Sequence, residues 1–246
     1  MSGQDKQPPT KFGVVLFPGF QALDVFGPLD ALNNLSRMIP LEFTVLAATL
    51  DPVNTKVPSP GRIGQSVVPT HTFDNYPKDL EVLLVPGGFG ARDPAITAPI
   101  VEFLKRIFPQ LRHLLTVCTG SAIVAQSGLL DGKRATSNKR SWEWATSQGS
   151  AVEWVREARW VADGNIWTVR AKPSHLGSSI MVPYDDVLGL TDLAGRARFG
   201  HSSGVSAGID LMFAFIADQY GEETAKQLAD IAEYVRNPDS SVDPFA

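Results

Sequence analysis

Residues 113–128 read His113-Leu-Leu-Thr-Val-Cys118-Thr-Gly-Ser-Ala-Ile-Val-Ala-Gln-Ser-Gly128. Leu114–Val117 is a short apolar run with a β-branched bias, and it passes without a spacer into Cys118-Thr119-Gly120-Ser121 and a helix of small and apolar residues ending near Gly128. A continuous apolar strand that turns at once into a helix is the signature of a parallel strand covered on both faces. The same alternation extends upstream. Phe12–Phe17 reads as a strand stopped by Pro18-Gly19, and Leu23–Leu35 as a helix with Leu29, Leu32 and Leu35 at helical spacing. Leu41–Ala48 is a strand, 51–65 a Pro/Gly-rich loop, and Ser66–Thr70 a short third strand. Glu81–Val85 is a strand ended by Pro86-Gly87-Gly88, and Pro94–Phe108 a helix with Ile100, Leu104 and Ile107 on one face.

Downstream, Gly132–Ser137 is expected to form a strand and 139–149 a helix. Ala151–Val161 and Asn165–Thr168 are strands joined at Asp163-Gly164, a strong hairpin signal. Ala207–Tyr220 and Glu222–Val235 are helices. Strands alternating with helices imply parallel strands joined by crossover helices in one open sheet. The expectation is an α/β protein with a single domain over 11–238, a disordered lead-in at 1–10 and a tail at 239–246.

Composition narrows the function. The 246 residues lie between one domain and two at roughly 150 residues each. With 43% apolar and 20% charged residues the balance is globular. Lys plus Arg number 22 against 26 Asp plus Glu, so no basic field exists for nucleic acid or an anionic membrane. One cysteine excludes a disulfide framework. No apolar stretch approaches the roughly 18 residues of a membrane span, and the polar start does not read as a signal peptide. A cytoplasmic location is expected.

Cys118 is the most informative position, because open α/β sheets bind ligands at the carboxyl ends of their strands. The small residues 119–121 would aim backbone N–H groups at the sulfur, which predicts a lowered thiol pKa and a nucleophile on a sharp turn. The competing reading is a buried cysteine serving as a small hydrophobe. Asp24, among Phe20, Leu23, Val25 and Phe26, is the candidate general acid/base, since burial would raise its pKa; it could equally cap the first helix. Gly87 and Gly88 end a strand at the same sheet edge and are either oxyanion donors or an ordinary tight turn. His71, His113, His175 and His201 are scattered, and His113 belongs at the far end of its strand from Cys118. No metal-ligand spacing occurs, and Trp142 and Trp144 read as packing residues.

Taken together, Phe17-Pro18…Gln21…Leu23-Asp24…Gly27-Pro28, Pro86-Gly87-Gly88, Val117-Cys118-Thr119-Gly120-Ser121, Gly128-Leu129-Leu130…Gly132…Arg134-Ala135-Thr136 and Ser206-Ala207-Gly208-Ile209-Asp210 resemble the ThiJ/PfpI superfamily, and within it the isocyanide hydratase branch. The resemblance spans about 12–238. It implies a flavodoxin-like, class I glutamine amidotransferase-like fold, a homodimer, a small-molecule substrate and no cofactor. It also implies that Cys118 attacks the terminal carbon of R–N≡C, that Asp24 handles protons, and that water resolves the thioimidate to a formamide. Thr119, Gly87, Gly88, Gly204 and Val205 would surround the reacting atoms.

Proteases and amidotransferases of this superfamily carry histidine where this chain has Thr119, and the glyoxalase/deglycase branch usually has glutamate where it has Asp24. Two departures stand out. Known hydratases follow Arg-Ala-Thr-Thr with His-Trp, whereas Thr136-Ser137 here leads to Asn138-Lys139. About 33 residues, Val169–His201, also interrupt the pattern between Thr168 and Ser202; they read as a disordered insertion, a lid or a retained intron. Two other functions use the same thiol: glyoxalase or deglycase chemistry on small α-keto aldehydes, and non-enzymatic redox sensing.

Overall fold

The structure is a computed structural model that describes residues 7–57, 62–169 and 206–241. In chain order its elements are β1 (Lys11–Val15), α1 (Ala22–Leu35), β2 (Glu42–Ala47), β3 (Val53–Asn54), β4 (Ser66–Val67), β5 (His71–Thr72), β6 (Val82–Val85), α2 (Pro94–Ile107), β7 (His113–Val117), α3 (Gly120–Gln126), β8 (Arg134–Ala135), α4 (Trp142–Ser147), β9 (Glu153–Trp154), β10 (Trp160–Asp163), β11 (Ile166–Val169), α5 (Ser206–Tyr220) and α6 (Glu222–Ile231). Seven strands form one sheet in the order β10-β11-β7-β6-β1-β2-β5. Every neighbouring pair is parallel except β10–β11. The expected open α/β sheet is present, and its central strands are buried along almost their whole length, as layers of helix on both faces require.

Sheet order positions the site. The chain leaves β1 toward β2 and later returns on the other side of β1 as β6 and β7. The carboxyl ends of β1, β6 and β7 are therefore three adjacent strand ends at the point where strand order reverses. Asp93 caps α2 by accepting the Ala95 N–H at 2.9 Å, with Pro94 opening that helix. α5 packs across α1. A Cβ on Gly208 would sit 3.0 Å from Val117 at the end of β7, and one on Gly27 would sit 2.8 Å from Ile209, so small residues let α5 approach the sheet at the first position and α1 at the second.

Three local expectations need correction. The 51–65 loop and the Ser66–Thr70 strand resolve into a separate antiparallel ribbon of β3 and β4, and the sheet edge is β5 instead. Thr70 turns away from the ribbon, its hydroxyl accepting from the Val45 N–H at 2.9 Å. The 151–161 segment is divided as well. Glu153–Trp154 pairs with Arg134–Ala135, and β10 starts only at Trp160. The hairpin itself is present, with Gly164 at φ 62 in its turn. The second terminal helix stops at Ile231, and Glu233 follows with φ 50. The Val169–His201 segment beyond Val169 lies outside the described residues.

Candidate active site

Cys118 leaves the end of β7 with φ 57, a left-handed conformation that non-glycine residues adopt at a cost of roughly 1–3 kcal/mol. Two hydroxyls hold its carbonyl in place: Ser121 donates at 3.1 Å from α3, and Ser137 at 3.2 Å from the segment after β8. The expected sharp turn is thus formed, and it faces a cavity of about 150 Å³ lined by Cys118, Thr119, Asn138 and parts of the loops after β1 and β6.

Those loops approach within a distance that only glycine permits. A Cβ on Gly87 would lie 2.5 Å from the Thr119 amide nitrogen, and one on Gly88, whose φ is 146, would lie 2.4 Å from the Gly19 carbonyl oxygen. The N–H groups of this turn face inward but are already engaged. Gly87 donates to the Asp24 carboxylate at 3.0 Å, and Gly88 donates to the Thr119 hydroxyl at 3.0 Å. In this structure the first N–H thus meets the acid and the second meets Thr119.

Asp24 lies in the first turn of α1 with its side chain wholly buried. It does not cap the helix, since Gln21 occupies that position. One carboxylate oxygen takes the Gly87 N–H. The other is buried without a conventional donor, on a carboxyl that faces the Cys118 thiol. Desolvation dominates and pushes the Asp24 pKa up to about 7, against the Gly87 N–H and the thiol, which favour the charged form.

The thiol departs from expectation. Cys118 is 5% exposed, and its pKa is raised rather than lowered, first by burial and second by the Asp24 charge. Asn138 and Thr119 donors oppose the rise without overcoming it. Backbone amides at a short helix cannot replace the hydration that the sulfur loses beside a carboxylate. Sulfur and carboxyl thus form a pair that retains a proton near neutral pH.

Asn138 is the residue whose contact sequence reading missed. Its Nδ2 donates to Sγ of Cys118 at 2.8 Å, while its Oδ1 accepts from the Arg140 N–H at 2.8 Å and the Ser141 N–H at 3.4 Å. Two backbone donors on one end of the amide fix which end meets the sulfur. The segment is anchored by the Thr136 N–H, which donates to the Thr168 hydroxyl of β11 at 2.8 Å. The only forewarning in the sequence was the mismatch at 138, which marks the position as unusual without placing it.

Among the described residues no histidine lines the cavity, and His113 lies at the opposite end of β7, its ring 5.1 Å from that of Phe215. Trp142 and Trp144 pack as expected; Trp142 meets Trp154 edge-on at 6.3 Å. Gly204 and Val205 lie outside the described residues. No group of metal-ligating side chains occurs among the described residues, and no helix there is long and apolar enough to cross a membrane.

Known proteins are similar to this chain. An isonitrile hydratase of Pseudomonas putida is 33% identical over 158 residues, which span 64% of this chain and 64% of the relative. A deglycase of Pyrococcus horikoshii is 30% identical over 117 residues, 47% of this chain and 68% of that protein. Among solved structures, a ThiJ/PfpI family protein from Pseudomonas syringae superposes with a TM-score of 0.69 at 26% identity, covering 94% of this chain and 78% of the other. The fold is thus of the flavodoxin-like, class I glutamine amidotransferase-like kind. The DJ-1/PfpI family model matches residues 10–178 and so takes in all three strand ends that build the site: this chain is a member of the DJ-1/PfpI family.

Proposed function

We propose that the protein is a cysteine-dependent hydratase of small isocyanides, with Cys118 as nucleophile and Asp24 as general acid/base. The observation that carries this reading is the pairing of a strained, cavity-facing thiol with a wholly buried carboxyl that shares its proton. An isocyanide accepts nucleophile and proton at the same carbon. In the first step the S–C bond forms as Asp24 takes the thiol proton and passes it to that carbon, giving R–N=CH–S. Water then adds to this carbon as Asp24 removes its proton and the nitrogen is protonated. Collapse breaks the C–S bond and releases R–NH–CHO with the thiol restored. The Asn138 amide supports the sulfur while it is negative, and unlike an imidazole it holds no titrating proton, so Asp24 alone carries the traffic.

The same features weigh against redox sensing, which needs an accessible, low-pKa thiolate. Deglycase chemistry is the second reading, favoured by the relatives that bear that activity. Exposure of Leu23 and Phe26 on α1, 44% each, supports the homodimer that the resemblance implies. The test is purified protein with a panel of small isocyanides and with methylglyoxal, Cys118→Ala serving as control. Formamide is the expected product, and its loss by about 10⁴-fold or more is expected in the control. Formamide formed equally by the control would reject the nucleophile; turnover of methylglyoxal alone would favour the deglycase reading.

A further inference from the structure

One wall of the cavity at Cys118 comes from outside the seven-stranded sheet. It is the β3–β4 ribbon, which contributes Thr55 and Val57. The ribbon is held against the turn after β1, where the Gly19 N–H donates to the Asn54 carbonyl at 2.7 Å. The Thr55 N–H donates to the Gln65 carbonyl at 2.9 Å and carries the pairing past β3. Residues 53, 55 and 57 share one face of such an extended chain. Burial follows that alternation: Val53 is buried, Thr55 and Val57 are half-buried, and Lys56 is exposed. The Thr55 hydroxyl is engaged across the ribbon, accepting from the Gln65 N–H at 2.9 Å and donating to Oε1 of Gln65 at 3.3 Å. The facing wall has little freedom to yield. Gly19 and Gly88 carry no side chain, and the loops after β1 and β6 interlock at the Phe20–Gly88 bridge, with Phe20 only 1% exposed. Among the described residues that line the cavity, Val57 is the one aliphatic side chain.

We infer that Val57 is a specificity-determining residue: from the ribbon it limits the bulk of what reaches Cys118. A cavity of about 150 Å³ holds a molecule about as large as benzene, so the substrates are isocyanides with compact substituents. This inference rests on the hydratase reading and adds the size class of its substrates. The strand ends set the chemistry, and the ribbon sets the size. A single methylene in an apolar pocket corresponds to about 10- to 200-fold in discrimination.

The experiment measures the kcat/KM ratio of benzyl isocyanide to ethyl isocyanide, in which the intrinsic reactivity of each compound cancels between variants. The ratio is expected to rise by about tenfold or more in Val57→Ala and to fall by as much in Val57→Phe. Ile63→Ala, on the same ribbon but 89% exposed and absent from the cavity wall, is expected to leave it unmoved. A second readout does not depend on hydration. Cys118 is the sole cysteine, so alkylation by iodoacetamide and by N-benzyliodoacetamide, followed by mass spectrometry, reports access to that sulfur alone. The ratio of the two rates cancels the thiolate fraction and is expected to move in the same directions. If neither isocyanide reacts but the alkylation ratio moves, the hydratase reading fails and the size limit stands. If isocyanides are hydrated but either ratio stays fixed in Val57→Ala, or moves as much in Ile63→Ala, the inference is overturned and the hydratase reading is intact. A fixed alkylation ratio without hydration overturns both.

Discussion

Asp24 and Asp210 are both buried, at 0% and 2% exposure, yet their surroundings are opposite. Asp210, in the first turns of α5, accepts four hydrogen bonds. Arg159 Nε donates at 3.0 Å and Nη2 at 2.6 Å to one oxygen, and the Tyr234 hydroxyl and the Asn237 N–H donate at 3.0 Å each to the other. The ion pair fastens α5 to the residue preceding β10, and the other two hydrogen bonds fasten it to the segment after α6. Among the described residues Asp24 has the Gly87 N–H, the thiol and no cation. A carboxylate supplied with every donor it can use is a fastener. One left short of donors keeps its affinity for a proton, and it is the one beside the sulfur.

Opposite substitutions break this comparison most clearly. Asp24→Asn is expected to lower kcat/KM for isocyanide hydration by about 10³-fold or more, since among the described residues no other group at the thiol accepts and returns the proton. Asp210→Asn, 2% exposed and remote from the sulfur in its bonding, is expected to leave the rate per folded molecule within a few fold. Steady-state kinetics corrected for folded fraction checks both. A large kinetic loss in Asp210→Asn would erase the distinction.

Stability is expected to move the other way. Removing the charge that pairs with buried Arg159 costs about 3–5 kcal/mol, readable as a lower urea midpoint. For Asp24 the sign follows from its raised pKa. The protonated acid is the favoured folded form, and the stability it confers is fully present below about pH 3.8 and lost as pH rises to about 7. Above that the penalty approaches three pK units, roughly 4 kcal/mol. Asp24→Asn is therefore expected to be more stable than the natural chain at about pH 8, with the gain fading toward pH 4. A variant less stable at both pH values would contradict it.

Two smaller effects sharpen the picture. Asn138→Ala is expected to lower kcat/KM by about 10- to 100-fold through loss of one donor to a negative sulfur; an unchanged rate would make the 2.8 Å contact incidental. In the natural chain kcat/KM is expected to rise with pH, by up to about tenfold per unit, and to level off above about 7 as Asp24 ionises while the thiol stays protonated. A profile that falls through that range would assign the pair the reverse proton roles.

Cys118 and Asp24 were legible in the sequence because each sits where a strand ends and a helix begins, so local pattern alone puts them at one edge of a parallel sheet. The direction of the thiol's pKa was not, because local pattern counts the amides after Cys118 but not the burial or the carboxyl supplied from another strand end. The partners of the Gly87 and Gly88 N–H groups were not legible for a related reason: a Pro-Gly-Gly turn is visible, but the groups that engage its donors are more than 30 residues away. Asn138 lies on an irregular stretch between a two-residue strand and a short helix, where no period exists to read. The sheet edge at β5 escaped notice because two residues carry no alternation.

The left-handed backbone at 118 has a last consequence. Every L-residue with a Cβ pays there, and glycine alone does not. Cys118→Gly is thus expected to melt above Cys118→Ala, because the turn itself asks for glycine and the side chain at 118 is held there against the preference of the backbone.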